Sequence, residues 1–312
     1  MEIGFIGLGI MGSRIANNLL KAGYTVNVFD LSDEAVKTLV NSGAVGVDTP
    51  KAVAEVSDII FSSLPGPPEV EKVALGEGGL IEGIRPGSVY IDLTSNSPTM
   101  VRRVYDKFKE KGAHVMDVPV SGGPTGAQAG TLTLMVGGDE DVFERCRPVL
   151  EAIGNKITYT GKIGCGSICK LMHNCIGYGL QTIVAECLTA GVKAGVDPMS
   201  LWRVLRDGGT GQGVMFHRVM PDIVLRGKFD PPHFALRLAI KDVALGTSLG
   251  KDFDVPMAMT NLTLQEMMSA MNRGWGDRDS RSVMLLQEER AGGIEVRIPD
   301  EQLDEEESRN KK

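Results

Sequence analysis

Aromatic residues are scarce in this sequence, with two Trp, five Tyr and nine Phe among 312 residues. Cations are outnumbered too: 33 Lys and Arg stand against 40 Asp and Glu, for a net charge of −7. A chain with no basic block and no aromatics interleaved with one is not built to hold nucleic acid. No apolar run reaches the ~18 residues that a membrane span needs, so no membrane partner is expected. The opening residues Met1-Glu2-Ile3-Gly4-Phe5 carry no basic segment and enter an apolar run at once, which does not read as a secretory leader. Cysteines are limited to positions 146, 165, 169, 175 and 187, with no C-x-x-C pair. They are expected to be reduced, buried thiols of a cytoplasmic protein, with neither a disulfide framework nor a metal site. The four histidines, at 114, 173, 217 and 233, are too scattered for a metal cluster.

What remains is an ordinary globular composition with length for about two domains. The first half alternates short apolar runs with helical patterns. Ile3–Ile6 is a run of the kind buried in a parallel sheet. It ends in Gly7-Leu8-Gly9-Ile10-Met11-Gly12, and a helical pattern through Ile15, Ala16, Leu19 and Leu20 follows. Tyr24–Phe29 is the next strand and ends at Asp30. Strand, glycine turn, helix, strand and acid, in that order, form a dinucleotide-binding pattern. Gly7 allows the tight turn, Gly9 lets a pyrophosphate approach the backbone, and Gly12 lets the helix pack on the sheet. Asp30 would accept from a ribose 2′-hydroxyl and repel a 2′-phosphate, and Leu31, Ser32 and Asp33 offer no cation. NAD is therefore expected as cofactor, with NADP the alternative. Further strands are expected at 57–64, 88–93, 114–118, 132–136 and 156–159. Ligands of such sheets sit beyond the carboxyl ends of the strands. The loops at Leu64–Pro65, Ser95 and Ser121–Gly123 thus belong on the rim of the glycine turn.

From Gly161 the character changes. Gly161, Gly164 and Gly166 break structure, Ser167 is a candidate N-cap, and a helical pattern runs to about 195. Helices are also expected at 199–205, 214–225, 234–249, 256–271 and 283–289, with a glycine-rich loop at 208–213. Lys170 lies near the start of the long helix with Ile168, Cys169, Leu171, Met172, Cys175 and Ile176 about it. Either it snorkels from a half-buried helix, or apolar surroundings lower its pKa and suit it to proton transfer. Asn174 follows at i+4 on the same face. The expected fold class is α/β: an N-terminal Rossmann-type dinucleotide-binding domain over 1–162, followed by an all-α helical domain over 163–295. The polar residues 296–312 are expected to be a disordered tail. The apolar surface of the long helix, with the Met-rich segment 256–271, predicts a homodimer or homotetramer.

Four motifs give the chain a family resemblance over about residues 1–295. They are Phe5 to Gly12, Asp117-Val-Pro-Val-Ser121-Gly122-Gly123 with its continuation to Leu132, Gly161 to Asn174, and Lys241-Asp242. In these it resembles the β-hydroxyacid dehydrogenases, the group of 3-hydroxyisobutyrate dehydrogenase, tartronate semialdehyde reductase and the glyoxylate and succinic semialdehyde reductases. The resemblance implies an NAD-dependent oxidoreductase that interconverts a short 3-hydroxyacid and its semialdehyde. It implies Lys170 as acid/base, with Ser121 and the backbone N–H groups of Gly122 and Gly123 on the substrate carboxylate and Asn174 on the substrate. It further implies Gly7, Gly9, Ile10, Met11, Gly12, Asp30, Leu64, Pro65, Ser95 and Lys241 around the cofactor. His173 stands where the family usually has a first asparagine, and the acidic tail runs past the usual family end. The alternatives are an NADPH-preferring semialdehyde reductase and a catalytically silent NAD-binding sensor.

Overall fold

The computed structural model describes residues 1–208, 213, 215–252, 254 and 256–310, apart from the side chains of 186, 187, 190, 216, 309 and 310. Residues 209–212 of the expected glycine-rich loop, Val214 at the expected helix start and the Cys187 thiol lie outside these. The chain forms two compact units, Met1–Met172 and His173–Lys312.

Unit 1 carries nine strands: β1 Glu2–Ile6, β2 Thr25–Phe29, β3 Val45–Gly46, β4 Ile59–Ser62, β5 Val89–Asp92, β6 His114–Asp117, β7 Val120–Ser121, β8 Leu132–Gly137 and β9 Gly154–Gly161. Its helices are α1 Gly12–Lys21, α2 Asp33–Asn41, α3 Pro50–Val56, α4 Pro67–Leu75, α5 Leu80–Gly83, α6 Pro98–Glu110, α7 Gly123–Ala129 and α8 Glu140–Glu151. One sheet runs β3-β2-β1-β4-β5-β6-β8-β7, with β9 beside β8. The six strands from β3 to β6 are parallel, in the order of a Rossmann sheet. β8 runs antiparallel to β6 and β7.

The apolar runs become strands because both faces of the sheet are covered. Successive residues point to opposite faces. Thus Ile3, Phe5, Ile59, Phe61, Val89, Ile91 and Met116 enter one buried cluster. Ile6, Ile60, Tyr90 and Val115 enter the other. Every strand expected from the sequence is present, with ends shifted by one to two residues. The two unexpected ones, β3 and β7, are two residues long.

The helix α9, Cys165–Lys193, starts in unit 1 and ends in unit 2. Unit 2 continues with α10 Pro198–Asp207, a π-helical segment Met215–Val224, α11 Leu236–Asp252, α12 Ala258–Ala270, a short π-helical turn Met271–Trp275 and a 3₁₀ turn Ser280–Met284. It closes with α13 Leu285–Arg290 and α14 Asp300–Asn310. Its core gathers Leu188, Trp202, Met220, Leu225, Leu236, Val243, Met267, Leu286 and Leu303. No described helix is long and apolar enough to cross a membrane.

One expectation is corrected here, and packing places one division differently. By packing, the chain divides at 172/173, inside α9, ten residues past the expected 162/163. The start of the helix is gripped by the sheet, so the break in packing comes later. The segment 296–312, expected to be disordered, contains α14 with Leu303 fully buried. Its acids meet cations from elsewhere in unit 2. Glu306 accepts from Arg203 Nε at 2.9 Å and Arg206 Nη2 at 2.9 Å. Asp304 accepts from Arg226 at 2.6 Å and Asp300 from Lys228 at 3.1 Å.

Candidate active site

The glycine turn joins β1 to α1. Gly7 has φ of 89°, and a side chain there would run into the Ser63 carbonyl. A Cβ on Gly12 would strike the carbonyl oxygen of Gly7, which explains the tight fit of helix on turn. Gly9 is exposed, and a Cβ built on it meets nothing within 4 Å. Ile10 beside it is 58% exposed and Met11 half-buried. No side chain caps α1, and its first turn holds no acid. Free N–H groups, a positive helix end and open space over Gly9 suit the pyrophosphate of a dinucleotide.

Asp30 lies at the end of β2. Its carboxylate accepts from the Leu8 N–H at 2.6 Å and from the Ser32 N–H at 2.8 Å. It thus ties the glycine turn to the second strand, with lone pairs left for a sugar hydroxyl. Leu31, next to it, is 88% exposed.

The next two strand ends are held by Asp92, which is buried at the end of β5. It accepts from Ser62 Oγ at 2.9 Å, Thr94 N–H at 3.0 Å and Asn96 Nδ2 at 2.8 Å. Thr94 Oγ1 in turn accepts from the Leu64 N–H at 3.1 Å. One carboxylate therefore sets the loops that carry Leu64, Pro65 and Ser95. Burial raises its pKa despite these bonds.

β6 ends at Asp117, also buried, and the chain passes through β7 to Ser121, half-buried, and the exposed Gly122 and Gly123. These two glycines have φ of 133° and 62° and open α7. Asp117 turns the other way. Its carboxylate accepts from the Gly164 N–H at 2.8 Å and the Ser167 N–H at 2.6 Å. It caps the N-terminus of α9, the role expected of Ser167. Ser167 lies one turn too far in and is fully buried. Side chains at Gly137 and Gly166 would both run into Asp117, so strand and helix meet without a Cβ between them.

Lys170 stands in the second turn of α9 and is half-buried. The expected apolar enclosure is incomplete. Leu171 and Cys175 are buried, but Cys169 is exposed and Ile176 is 74% exposed. Neighbours in sequence point to different faces of a helix, so an apolar run does not surround any one member. His173 is exposed.

Within unit 2, Asn174 donates its Nδ2 to Asp242 at 2.6 Å. Asp242 is fully buried in α11 and pairs with the Lys241 Nζ at 3.0 Å. The amide of Asn174 is thereby oriented with its carbonyl oxygen left to accept. Asp117 and Asp242 are the residues that motif reading left without a role. The signal for Asp242 is an acid inside the apolar stretch Leu-Ala-Ile-Lys-Asp-Val-Ala-Leu.

A doubly covered parallel sheet with an open glycine turn and an acid closing the second strand defines a dinucleotide-binding protein. Comparisons with known proteins make the class narrower. The family described as the NAD binding domain of 6-phosphogluconate dehydrogenase matches residues 2–161. The one described as NAD-binding of NADP-dependent 3-hydroxyisobutyrate dehydrogenase matches residues 164–286. The chain is 38% identical to 2-(hydroxymethyl)glutarate dehydrogenase of Eubacterium barkeri, over 94% of this chain and 96% of the relative. It is also 38% identical to 3-hydroxyisobutyrate dehydrogenase of Pseudomonas aeruginosa, over 78% and 83%. The crystal structure of 3-hydroxyisobutyrate dehydrogenase from Salmonella typhimurium superposes with a TM-score of 0.83 at 26% identity, covering 92% of this chain and 99% of that one. The chain belongs to the β-hydroxyacid dehydrogenase family and is an NAD(P)-dependent hydroxyacid dehydrogenase.

Proposed function

We propose that this enzyme interconverts a short 3-hydroxy carboxylate and its semialdehyde, preferring NAD, with Lys170 as the acid/base. The observation that carries the reading is the anchoring of the Lys170 helix to the end of β6, the strand that leads into Ser121–Gly123. A proton-transferring group and a carboxylate-binding loop then share one support. The names of the relatives, dehydrogenases of 3-hydroxyisobutyrate and of 2-(hydroxymethyl)glutarate, favour a hydroxymethyl group beside a carboxylate.

The roles follow from the chemistry of each group. The nicotinamide, when bound, supplies or takes the hydride. Gly7 to Gly12 would hold the pyrophosphate and Asp30 the adenosine ribose, while Leu64, Pro65, Ser95 and Lys241 would surround the rest of the cofactor. Ser121 Oγ and the N–H groups of Gly122 and Gly123 would bind the substrate carboxylate as charge-assisted donors. Lys170 Nζ takes the hydroxyl proton in oxidation and returns it in reduction. Asn174, its amide held by Asp242, orients the substrate. The free thiols Cys146, Cys165, Cys169 and Cys175 favour a reducing, cytoplasmic setting. Exposed apolar side chains on α9 (Ile176, Ile183) and α12 (Met259, Leu262, Met268) favour assembly of copies.

The test is steady-state kinetics of Lys170→Ala and Lys170→Arg beside NADH binding by fluorescence. Lys170→Ala should lose about 10²–10⁴-fold in kcat and bind NADH normally. Lys170→Arg should be nearly as poor, since a guanidinium does not give up its proton. Retention of more than about a tenth of turnover by Lys170→Ala would remove Lys170 from the chemistry and make His173 the next candidate.

A further inference from the structure

We infer that Asp117 is a positioning residue of the reaction: its carboxylate fixes the first turn of α9 against the sheet and so sets where Lys170 stands. The inference rests on the reading of Lys170 as acid/base.

Three observations carry it. Both carboxylate oxygens are engaged, one by the Gly164 N–H at 2.8 Å and one by the Ser167 N–H at 2.6 Å. These groups lie at the start of α9, and Lys170 is three residues beyond Ser167, less than one helical turn. The contact is also closed to adjustment. A Cβ at Gly137 would run into Asp117 Oδ1 and lie 2.7 Å from the Gly166 nitrogen, while one at Gly166 would hit the Asp117 and Met135 carbonyls. Finally, an aspartate that only capped a helix could sit on the helix itself, as Ser32 does for α2 and Ser97 for α6. Asp117 instead reaches across from the strand that leads to Ser121, 47 residues from Gly164. A shift of about 1 Å in a catalytic group costs on the order of 10²-fold in rate, so a support of this kind has kinetic value.

A second consequence is a pH signature. Burial, with a smaller push from the charge of Asp92, raises the Asp117 pKa to about 6 against the lowering effect of its bonds from Gly164 and Ser167. The other charged or titratable groups around the junction are Arg102 of α6, whose guanidinium lies against Gly164, and Cys165 and Cys169 on α9. A proton on Asp117 occupies an oxygen that otherwise accepts an N–H. One anchor is lost, and turnover should fall on the acid side of about pH 6.

The experiment is Asp117→Asn in the full-length enzyme, assayed from acid to alkaline pH. Asparagine keeps the shape and accepts one N–H, but its NH₂ faces the other. Expected are a loss of about 10–100-fold in kcat, unchanged NADH binding and no acid limb, so that the variant behaves at every pH as the wild type does in acid. The inference is overturned if Asp117→Asn keeps more than about half its kcat, or if it loses kcat but retains the acid limb. Failure of the variant to fold also overturns it, since the carboxylate would then govern the fold and not turnover. An inactive Lys170→Ala beside a fully active Asp117→Asn would sink this inference alone, whereas an active Lys170→Ala would sink both.

Discussion

Asp92 and Asp117 stand opposite each other, in register at the ends of β5 and β6, each only 1% exposed. Two buried carboxylates on neighbouring strands are costly to keep charged. Between them they hold the rim of unit 1: Asp92 fixes the loops of Leu64 and Ser95, and Asp117 fixes the helix of Lys170.

Their burial predicts an unusual stability profile. The folded pKa of Asp117 is raised to about 6 from an ordinary 3.8. The folded state thus binds the proton more tightly than the unfolded state. Its contribution is fully present below the unfolded value and is lost as pH rises through the folded one. About two pKa units correspond to about 3 kcal/mol. In urea titrations between about pH 4 and pH 7, wild type should lose about this much relative to Asp117→Asn as pH rises. A pH-independent difference between the two proteins would contradict it.

Asp30 should set cofactor preference. NAD should exceed NADP in kcat/KM by at least about tenfold, or about 1.4 kcal/mol. Asp30→Asn should narrow the gap and also weaken NAD binding, because the carboxylate holds the Leu8 N–H of the glycine turn. Equal efficiency of the wild type with both cofactors would refute the assignment.

Glu306 should matter more than a terminal residue ordinarily does. It is buried, with Arg206 only 4% exposed beside it and stacked on Trp202 at 4.8 Å. Burial pushes its pKa up, but the bonds from Arg203 and Arg206 outweigh that and hold it below the ordinary value. Glu306→Ala would leave the Arg206 charge poorly matched, at a cost of about 3 kcal/mol. Leu303→Ala should cost about 2–4 kcal/mol through the cavity it leaves. Chemical denaturation reads both, and changes under about 0.5 kcal/mol would mean that α14 contributes little.

Light scattering at micromolar concentration should return at least twice the 33.4 kDa chain mass. Ile176→Asp together with Met259→Asp should shift the enzyme toward the monomer. A wild-type mass of one chain would refute assembly through this apolar surface.

Much of unit 1 was legible because its strands are buried on both faces and therefore read as plain apolar runs between turn residues. β3 and β7 escaped because two residues carry no periodicity. The glycine turn and Asp30 were legible as well, being local in sequence. The supports of the site were not. Asp117 finds its partners 47 and 50 residues away, and both are backbone N–H groups that leave no mark on composition. The same limit explains α14: its acidic stretch reads as solvated until Arg203, Arg206 and Arg226 are brought to it by the fold. The apolar surroundings expected of Lys170 were overdrawn, since a linear apolar neighbourhood is spread around a helix.

The junction of Gly137, Gly166 and Asp117 bears on how the enzyme can be altered. Three side-chain positions there are fixed by contact, and the first turn of α9 has no slack. Diversification of substrate range, by drift or by directed evolution, has to spare that turn. Exposed positions such as His173 have the latitude that the junction lacks, so a library built there should retain folded variants at a higher rate than one built on residues 164–167.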